Sequence, residues 1–190
     1  KTNGFVGLHG RSLPVAQGIK LANEDLTVIA FGGDGDGYSE GGNHFIHACR
    51  RNVNITYVVH NNGVFGLTTG QYSSTSTMGT KSKSSPRGSI EVSFNPIAVA
   101  LASGATFIAR VYVGNPSHCV DIMKKAVQHN GFAFVDIIQP CITFGKNHEY
   151  YKDKIYIVDE KYDWSDKSTA FLKALESDTG KIPCGIIYKK

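Results

Sequence analysis

No stretch of the sequence stays apolar long enough to cross a bilayer: runs such as VIAF at 28–31 and FAFV at 132–135 are strand-sized, against the roughly 20 residues a spanning helix needs. A soluble protein that keeps off membranes is expected. The four cysteines, Cys49, Cys119, Cys141 and Cys184, form no CxxC pair and no cluster, which excludes a disulfide scaffold and points to a reducing, cytoplasmic compartment. Charge of one sign is not gathered anywhere: 20 Lys and Arg stand against 16 Asp and Glu along the chain, for a net +4. Nucleic-acid binding therefore gets no support from charge, although a weakly basic surface suits an acidic partner. The opening KTNGFVGLHGRSLPV has neither an apolar h-region nor an Arg-rich amphipathic pattern and begins at Lys1 rather than Met, so it reads as a truncated N-terminus. Repeats and heptads are also missing, and 41% hydrophobic residues in 190 positions suffice for one well-buried core.

What the sequence does contain is an alternation of short apolar runs with helix-length amphipathic ones, the pattern of stacked β-α-β units. Ser12, just before Pro14, suits the N-cap of a helix over 13–23, and LTVIAF at 26–31 reads as a buried strand running into GGDGDG at 32–37. A helix is predicted over 39–52 and a strand over 55–60, followed by a long functional loop through the Ser-, Thr-, Lys- and Gly-rich stretch 72–89. Asn95 and Pro96 open a helix to 102, TFIARV at 106–111 is a strand, 116–129 an amphipathic helix, and FAFVDII at 132–138 a strand. Beyond Cys141 the chain turns polar and lysine-rich, with a helix over 166–177 and a weak strand near 184–188. The expected fold class is α/β, a three-layer, doubly wound, mostly parallel sheet, with one domain over 1–145 and a peripheral C-terminal segment over 146–190 packed on it.

Ligands of open parallel sheets bind beyond the carboxyl ends of the strands, which directs attention to Asp34, flanked by Gly33 and Gly35, and to Asn62. Glycines on both sides of Asp34 let the backbone turn sharply and leave amide N–H groups open to an anion such as a diphosphate. One crossover helix separates Asp34 from Asn62, so a carboxylate and an amide oxygen stand at the tips of two parallel strands, both within reach of one hard cation. Magnesium demands near-octahedral oxygen coordination. Asp34, Asn62, a backbone carbonyl just after Asn62, diphosphate oxygens and water would complete it.

The pair GDGDG and HNNGVFGLTTGQ resembles the thiamine-diphosphate and magnesium motif of the 2-oxoacid:ferredoxin oxidoreductases, in their β subunit. HGRSLPVAQGIKLAN at 9–23, EGGNHFIHACRRNVNITYVV at 40–59, GQYSSTS at 70–76 and QPCITF at 139–144 are similar to family segments in the same order, with the 2-oxoglutarate-type enzymes nearest. The resemblance implies a thiamine-diphosphate-binding fold in which Asp34 and Asn62 bind magnesium through their side chains and Val64 through its carbonyl. It implies Gly33, Gly35 and Asp36 along the diphosphate, His9 as the catalytic candidate where the family approaches the cofactor, and Gly66, Leu67 and Thr68 in the loop that turns over it. Cys141 matches the cysteine that closes a 4Fe-4S cluster with three others from a segment upstream of HGR. The function implied is oxidative decarboxylation of a 2-oxoacid, 2-oxoglutarate favoured, to an acyl-CoA with electrons passed to ferredoxin. An α (or fused α/γ) subunit would supply the glutamate that contacts the cofactor's aminopyrimidine, so coenzyme A, ferredoxin and that subunit are the implied partners. Thr69 stands where some members carry lysine, and His44 and His47 share a helix without a carboxylate or cysteine at metal spacing.

Two rival readings make different demands. A non-redox thiamine-dependent decarboxylase or synthase subunit shares Asp34 and Asn62 but has no use for Cys141. A Rossmann-type nucleotide-binding or regulatory domain expects GxGxxG after the first strand and an acidic residue ending the second. Glycines 33, 35 and 37 do not make that spacing, and His60, Asn61 and Asn62 occupy the second strand's end.

Overall fold

Strands covered on both faces read as unbroken apolar runs rather than alternating ones, and three of the runs expected from the sequence become the centre of one sheet. The computed structural model describes residues 3–159 and 161–190. Its strands are β1 (Ile29–Gly33), β2 (Thr56–Asn61), the two-residue β3 (Val64–Phe65) and β4 (Gln71–Tyr72), β5 (Phe107–Tyr112), β6 (Ala133–Ile138), β7 (Ile155–Ile157) and β8 (Ile182–Lys189). Six of them form the main sheet in the order β1-β2-β6-β5-β8-β7, while β3 and β4 make a small separate hairpin. The first four run parallel, and β8 pairs antiparallel with β5.

Helices cover both faces. On one side α1 (Ser12–Ala22), α2 (Gly42–Arg51) and α3 (Pro96–Ser103) pack Leu13, Phe45, Ala48, Ile97 and Leu101 on Tyr57, Val59, Ile108 and Phe134. On the other side α4 (Pro116–Val127) sets Ile122 and Ala126 on Val58, Phe107, Ala109 and Val135. A short α5 (His148–Lys152) precedes β7, and α6 (Lys167–Leu175) adds Ala170 and Ala174 to the first side. The result is the three-layer, doubly wound α/β fold read from the sequence. The rings of Phe45 and Phe134 meet at 4.8 Å between centroids, and each such fully buried side chain contributes about 1.5–3 kcal/mol relative to exposure.

Local signals set most boundaries. Asn95 and Asn115 accept from the backbone N–H of Ala98 and His118 at 3.1 and 3.3 Å, with proline at the first helical position in both cases, the cap-and-proline arrangement that starts α3 and α4. Four expectations are corrected. Ser12 is the first residue of α1 and not its cap; Arg11 takes the cap position without a side-chain bond, because the Gly10 turn, closed by Arg11 N–H to Leu8 O at 3.0 Å, already delivers the chain to the helix. The helix expected from 39 begins at Gly42, after a π-helical turn over Gly35–Glu40, a form frequent at functional sites.

The third correction concerns β1, which starts at Ile29 rather than 26 and buries only Ala30 of its side chains. It is the sheet's edge strand, with Phe31 56% exposed, because α4 packs on the far face over the inner strands and not on β1. The fourth concerns the C-terminal strand, expected near 184–188: it spans Ile182–Lys189 inside the sheet, with Cys184 and Ile187 fully buried. Its pairing partner β5 lies far away in sequence, so no local pattern announces it.

Candidate cofactor and cation site

Parallel pairing of β1 with β2 sets Gly33 opposite His60, which leaves Asp34 and Asn62 just past two adjacent strand tips. The Asn62 backbone N–H donates to Asp34 Oδ1 at 3.3 Å, and Asn62 Oδ1 in turn accepts from the Val64 N–H at 3.0 Å. Gly63 lies between them with φ +71°, a left-handed conformation that glycine adopts without penalty and that folds the chain back into this Asx-type turn. Asp34, Asn62 and Val64, expected at one cation, are thus brought together.

Asp34 is 1% exposed. The loop after β4 comes over it: the Ser73 hydroxyl donates to Oδ2, and Thr75 Oγ1 lies 2.6 Å from the same oxygen. Burial raises the Asp34 pKa above its ordinary value, while the bonds from Ser73, Thr75 and the Asn62 amide pull it down. Desolvation disfavours the carboxylate anion, and a divalent cation beside it is the partner that reverses such a penalty. The donors also fit magnesium in kind and in capacity. Asp34 Oδ1 and Asn62 Oδ1 each accept one hydrogen bond, and a carboxylate or amide oxygen carries two lone pairs. Among the described residues no group of three His, Cys, Asp or Glu side chains could hold a metal ion, so a cation here must use amide and carbonyl oxygens as well.

The glycine-rich turn carries the rest of the expected cradle. Gly35 opens the π-helical turn with the Phe65 ring against its Cα, where any side chain would collide. This contact brings the β3–β4 hairpin onto the turn. Above Gly33 there is open space, since a Cβ built there meets nothing nearer than the His60 carbonyl at 4.0 Å. Asp36 turns its carboxylate toward the HGR segment: Oδ1 accepts from the Gly10 N–H at 2.5 Å. His9 follows, its Nε2 3.9 Å from the same oxygen, its side chain 58% exposed, and its ring 6.0 Å from that of Phe65.

The hairpin end holds Gly66, Leu67 and Thr68. The Thr68 hydroxyl donates to Gln71 Oε1 at 2.5 Å, Thr69 carries φ +76°, and Leu67 is 99% exposed. A β-branched residue in the left-handed region is a strained backbone position of the sort that clusters at ligand clamps. Cys141 is a free, half-buried thiol whose turn closes through the Gly145 N–H onto the Cys141 carbonyl at 2.9 Å. A Cβ at Gly145 would stand 3.1 Å from the Asn62 carbonyl, so this turn rests directly on the cation loop. The other cysteines are elsewhere, Cys49 in α2 and Cys184 in β8 fully buried and Cys119 bonded to the Tyr112 carbonyl at 3.1 Å. His44 and His47 lie on α2; His47 Nδ1 accepts from Arg50 at 3.4 Å, and burial lowers the His44 pKa.

Sequence reasoning did not single out Ser73, Thr75, Asn61 or Asp136, all of which are wired to this site. The signal for the last was present: one carboxylate in the otherwise apolar strand FAFVDII, a residue type almost never fully buried unless paired.

Strand tips bearing a Gly-Asp-Gly turn and an Asn-Gly turn, on a sheet of this topology, define a class: residues 1–137 match the family described as thiamine pyrophosphate enzyme, C-terminal TPP binding domain. Residues 141–190 match the C-terminal family of the pyruvate ferredoxin oxidoreductase beta subunit. The chain is 46% identical to the 2-oxoacid:ferredoxin oxidoreductase subunit beta of Saccharolobus solfataricus over 98% of its own length and 65% of that protein. It is also 46% identical to the 2-oxoglutarate oxidoreductase subunit KorB of Mycobacterium tuberculosis, over 76% of this chain and 39% of that one. A solved 2-oxoglutarate:ferredoxin oxidoreductase from Magnetococcus marinus superposes with a TM-score of 0.92 at 43% identity, covering 96% of this chain and 63% of that one. The chain belongs to the β-subunit family of the 2-oxoacid:ferredoxin oxidoreductases, and spans 65% of the length of its Saccharolobus relative.

Proposed function

We propose that this chain is the cofactor-holding part of the β subunit of a 2-oxoacid:ferredoxin oxidoreductase that converts a 2-oxoacid to its acyl-CoA in the cytoplasm. It would work only with an α, or fused α/γ, subunit and deliver electrons to ferredoxin. The observation that carries the reading is the hydrogen-bonded meeting of Asp34 and Asn62 at adjacent strand tips. 2-Oxoglutarate is the favoured substrate, because relatives named for 2-oxoglutarate and a structure with 2-oxoglutarate, coenzyme A and succinyl-CoA bound are among the similar proteins. The membrane is assigned no part; among the described residues no helix is long and apolar enough to cross one.

In this reading Asp34, Asn62 and the Val64 carbonyl hold magnesium, and the amides of the Gly33–Gly35 turn receive the diphosphate. Thiamine diphosphate, when bound, supplies the electron sink that decarboxylation of a 2-oxoacid requires. The protein's share is positioning. Asp34 is the one charged side chain at the cation and is locked by Ser73 and Thr75. Asp36 pins the Gly10 amide and so fixes where His9 stands. Gly66, Leu67 and Thr68 form the exposed flap on the hairpin that ends at the cation loop, suited to keep water from the reacting centre. Cys141 supplies one thiolate of the four that a 4Fe-4S cluster takes. The described residues do not complete such a cluster by themselves.

Calorimetry on the assembled enzyme tests the reading. Binding of thiamine diphosphate that requires magnesium, with no binding of NAD, is expected; tight NAD binding refutes it. Iron and acid-labile sulfide analysis separates this function from a non-redox thiamine enzyme, since an active but iron-free complex leaves only the latter. Cys141→Ser is expected to lower the iron content per complex while the fold, followed by circular dichroism, is retained. Unchanged iron returns Cys141 to a packing role.

A further inference from the structure

Beneath the strand tips lies a buried ion pair for which the cation reading has no direct use. Asp136, within β6, is fully buried; its Oδ2 accepts from Arg110 Nε on β5 at 2.8 Å, and its Oδ1 accepts from the Tyr38 hydroxyl at 2.9 Å and from Asn61 Nδ2 at 3.0 Å. Arg110 also donates to the Ser177 hydroxyl at 2.7 Å. Stability alone gives little reason for this arrangement. Removing two charges from water roughly cancels their attraction, and a packed apolar pair of similar volume is often as stable or more so.

The pair's effect is geometric. Beside a guanidinium the Asp136 carboxylate offers only acceptors, so Asn61 must turn its NH2 toward Asp136 and its oxygen away. Thr75 Oγ1 lies 2.8 Å from that oxygen and 2.6 Å from Asp34 Oδ2; a hydroxyl has one proton, so the Asn61 oxygen competes with the Asp34 carboxylate for it. Tyr38, held by the same Asp136 oxygen, belongs to the π-helical turn that Asp34 caps. One carboxylate thus ties together the tip of β2, the turn after β1 and, through Thr75, the loop over the site.

We propose that Asp136 and Arg110 are positioning residues for Asp34: they hold the Asn61 oxygen that competes with the Asp34 carboxylate for the one Thr75 proton, and they hold Tyr38 in the turn that Asp34 caps, and together these contacts set how the Asp34 carboxylate faces the cation. The inference rests on the cation reading above. It adds that the affinity of the site for magnesium is set partly from inside the sheet, by residues that touch neither cation nor cofactor. Residues that orient metal ligands from behind typically alter affinity by roughly 10- to 100-fold when lost.

The test is a calorimetric magnesium titration of the full-length enzyme complex in saturating thiamine diphosphate, with thermal midpoints measured in parallel without magnesium. The double variant Asp136→Leu/Arg110→Met removes the pair without stranding a charge. It is expected to keep a midpoint close to wild type while binding magnesium roughly 10-fold more weakly. Thr75→Val, which removes the relay hydroxyl outside the core, is expected to weaken magnesium to a similar extent, and Thr75→Ser to restore it. The triple variant is expected to be no weaker than the double, because changes along one chain of contacts are not additive. Wild-type magnesium affinity in Thr75→Val or in a folded double variant overturns the proposal, as do additive losses in the triple. Should the double variant not fold, the Thr75 pair decides. Asp34→Ala separates the two levels: if it leaves magnesium affinity unchanged, the cation reading fails and this inference with it. If it abolishes binding while the pair and relay variants bind normally, only this inference fails.

Discussion

In the assembled enzyme, Asp34→Ala is expected to abolish magnesium-dependent retention of thiamine diphosphate while leaving the fold in place. Asp34 is the only charged side chain proposed at the cation, and truncating one partner of a buried charge contact costs about 2–5 kcal/mol, or upward of roughly 30-fold in affinity. The fold should survive because the carboxylate is itself disfavoured by burial and is surrounded by groups that can rearrange. Ser73 and Thr75 already share a contact at 3.3 Å, so their hydroxyls need not be left unpaired. The measurement is cofactor occupancy after desalting with and without magnesium, alongside circular dichroism. Unchanged occupancy would remove Asp34 from the site.

The largest stability effect is expected from Asp136→Leu alone. It strands the Arg110 guanidinium, 4% exposed as a residue, and takes the acceptor from Tyr38 and Asn61. Breaking a buried pair from one side costs about 3–5 kcal/mol, a large part of the roughly 5–15 kcal/mol that holds a domain folded. For a domain of this size that corresponds to a fall in thermal midpoint of roughly 10 °C. Adding Arg110→Met should recover most of the loss. Scanning calorimetry of the single and double variants checks this, and a double variant as unstable as the single would mean that the polar contacts, not the stranded charge, carry the cost.

Both expectations concern groups of unequal legibility. Asp34 stands out in the sequence because glycine on either side of an acid, directly after an apolar run, has few purposes other than a turn that exposes backbone amides. Asn62 stands out because the next run ends in Asn-Asn-Gly at the spacing of one crossover helix. Asp136 carries a weaker signal, one acid in an apolar strand, which announces a buried partner without saying which. Ser73 and Thr75 sit in a polar loop whose composition resembles that of its neighbours, and nothing local distinguishes them from Ser82 or Ser84. Only the loop's path over Asp34, held by Phe94 N–H to Ser74 O at 2.7 Å and the Ser93 hydroxyl to Ser76 O at 2.6 Å, gives them a role.

The edge position of β1 and the interior position of β8 follow the same division. Apolar runs, glycine turns and Asn-Pro caps are local, acting through backbone freedom and hydrogen bonds a few residues apart, and so the element types, the parallel β-α-β order and the two strand tips were determined by the sequence itself. Which strand lies beside which, which face stays open, and which side chains from β5, β6 and the loop converge behind Asp34 depend on pairings between residues remote along the chain. These were decided only by the tertiary structure, because a buried charge can be satisfied only by the partners that folding brings to it.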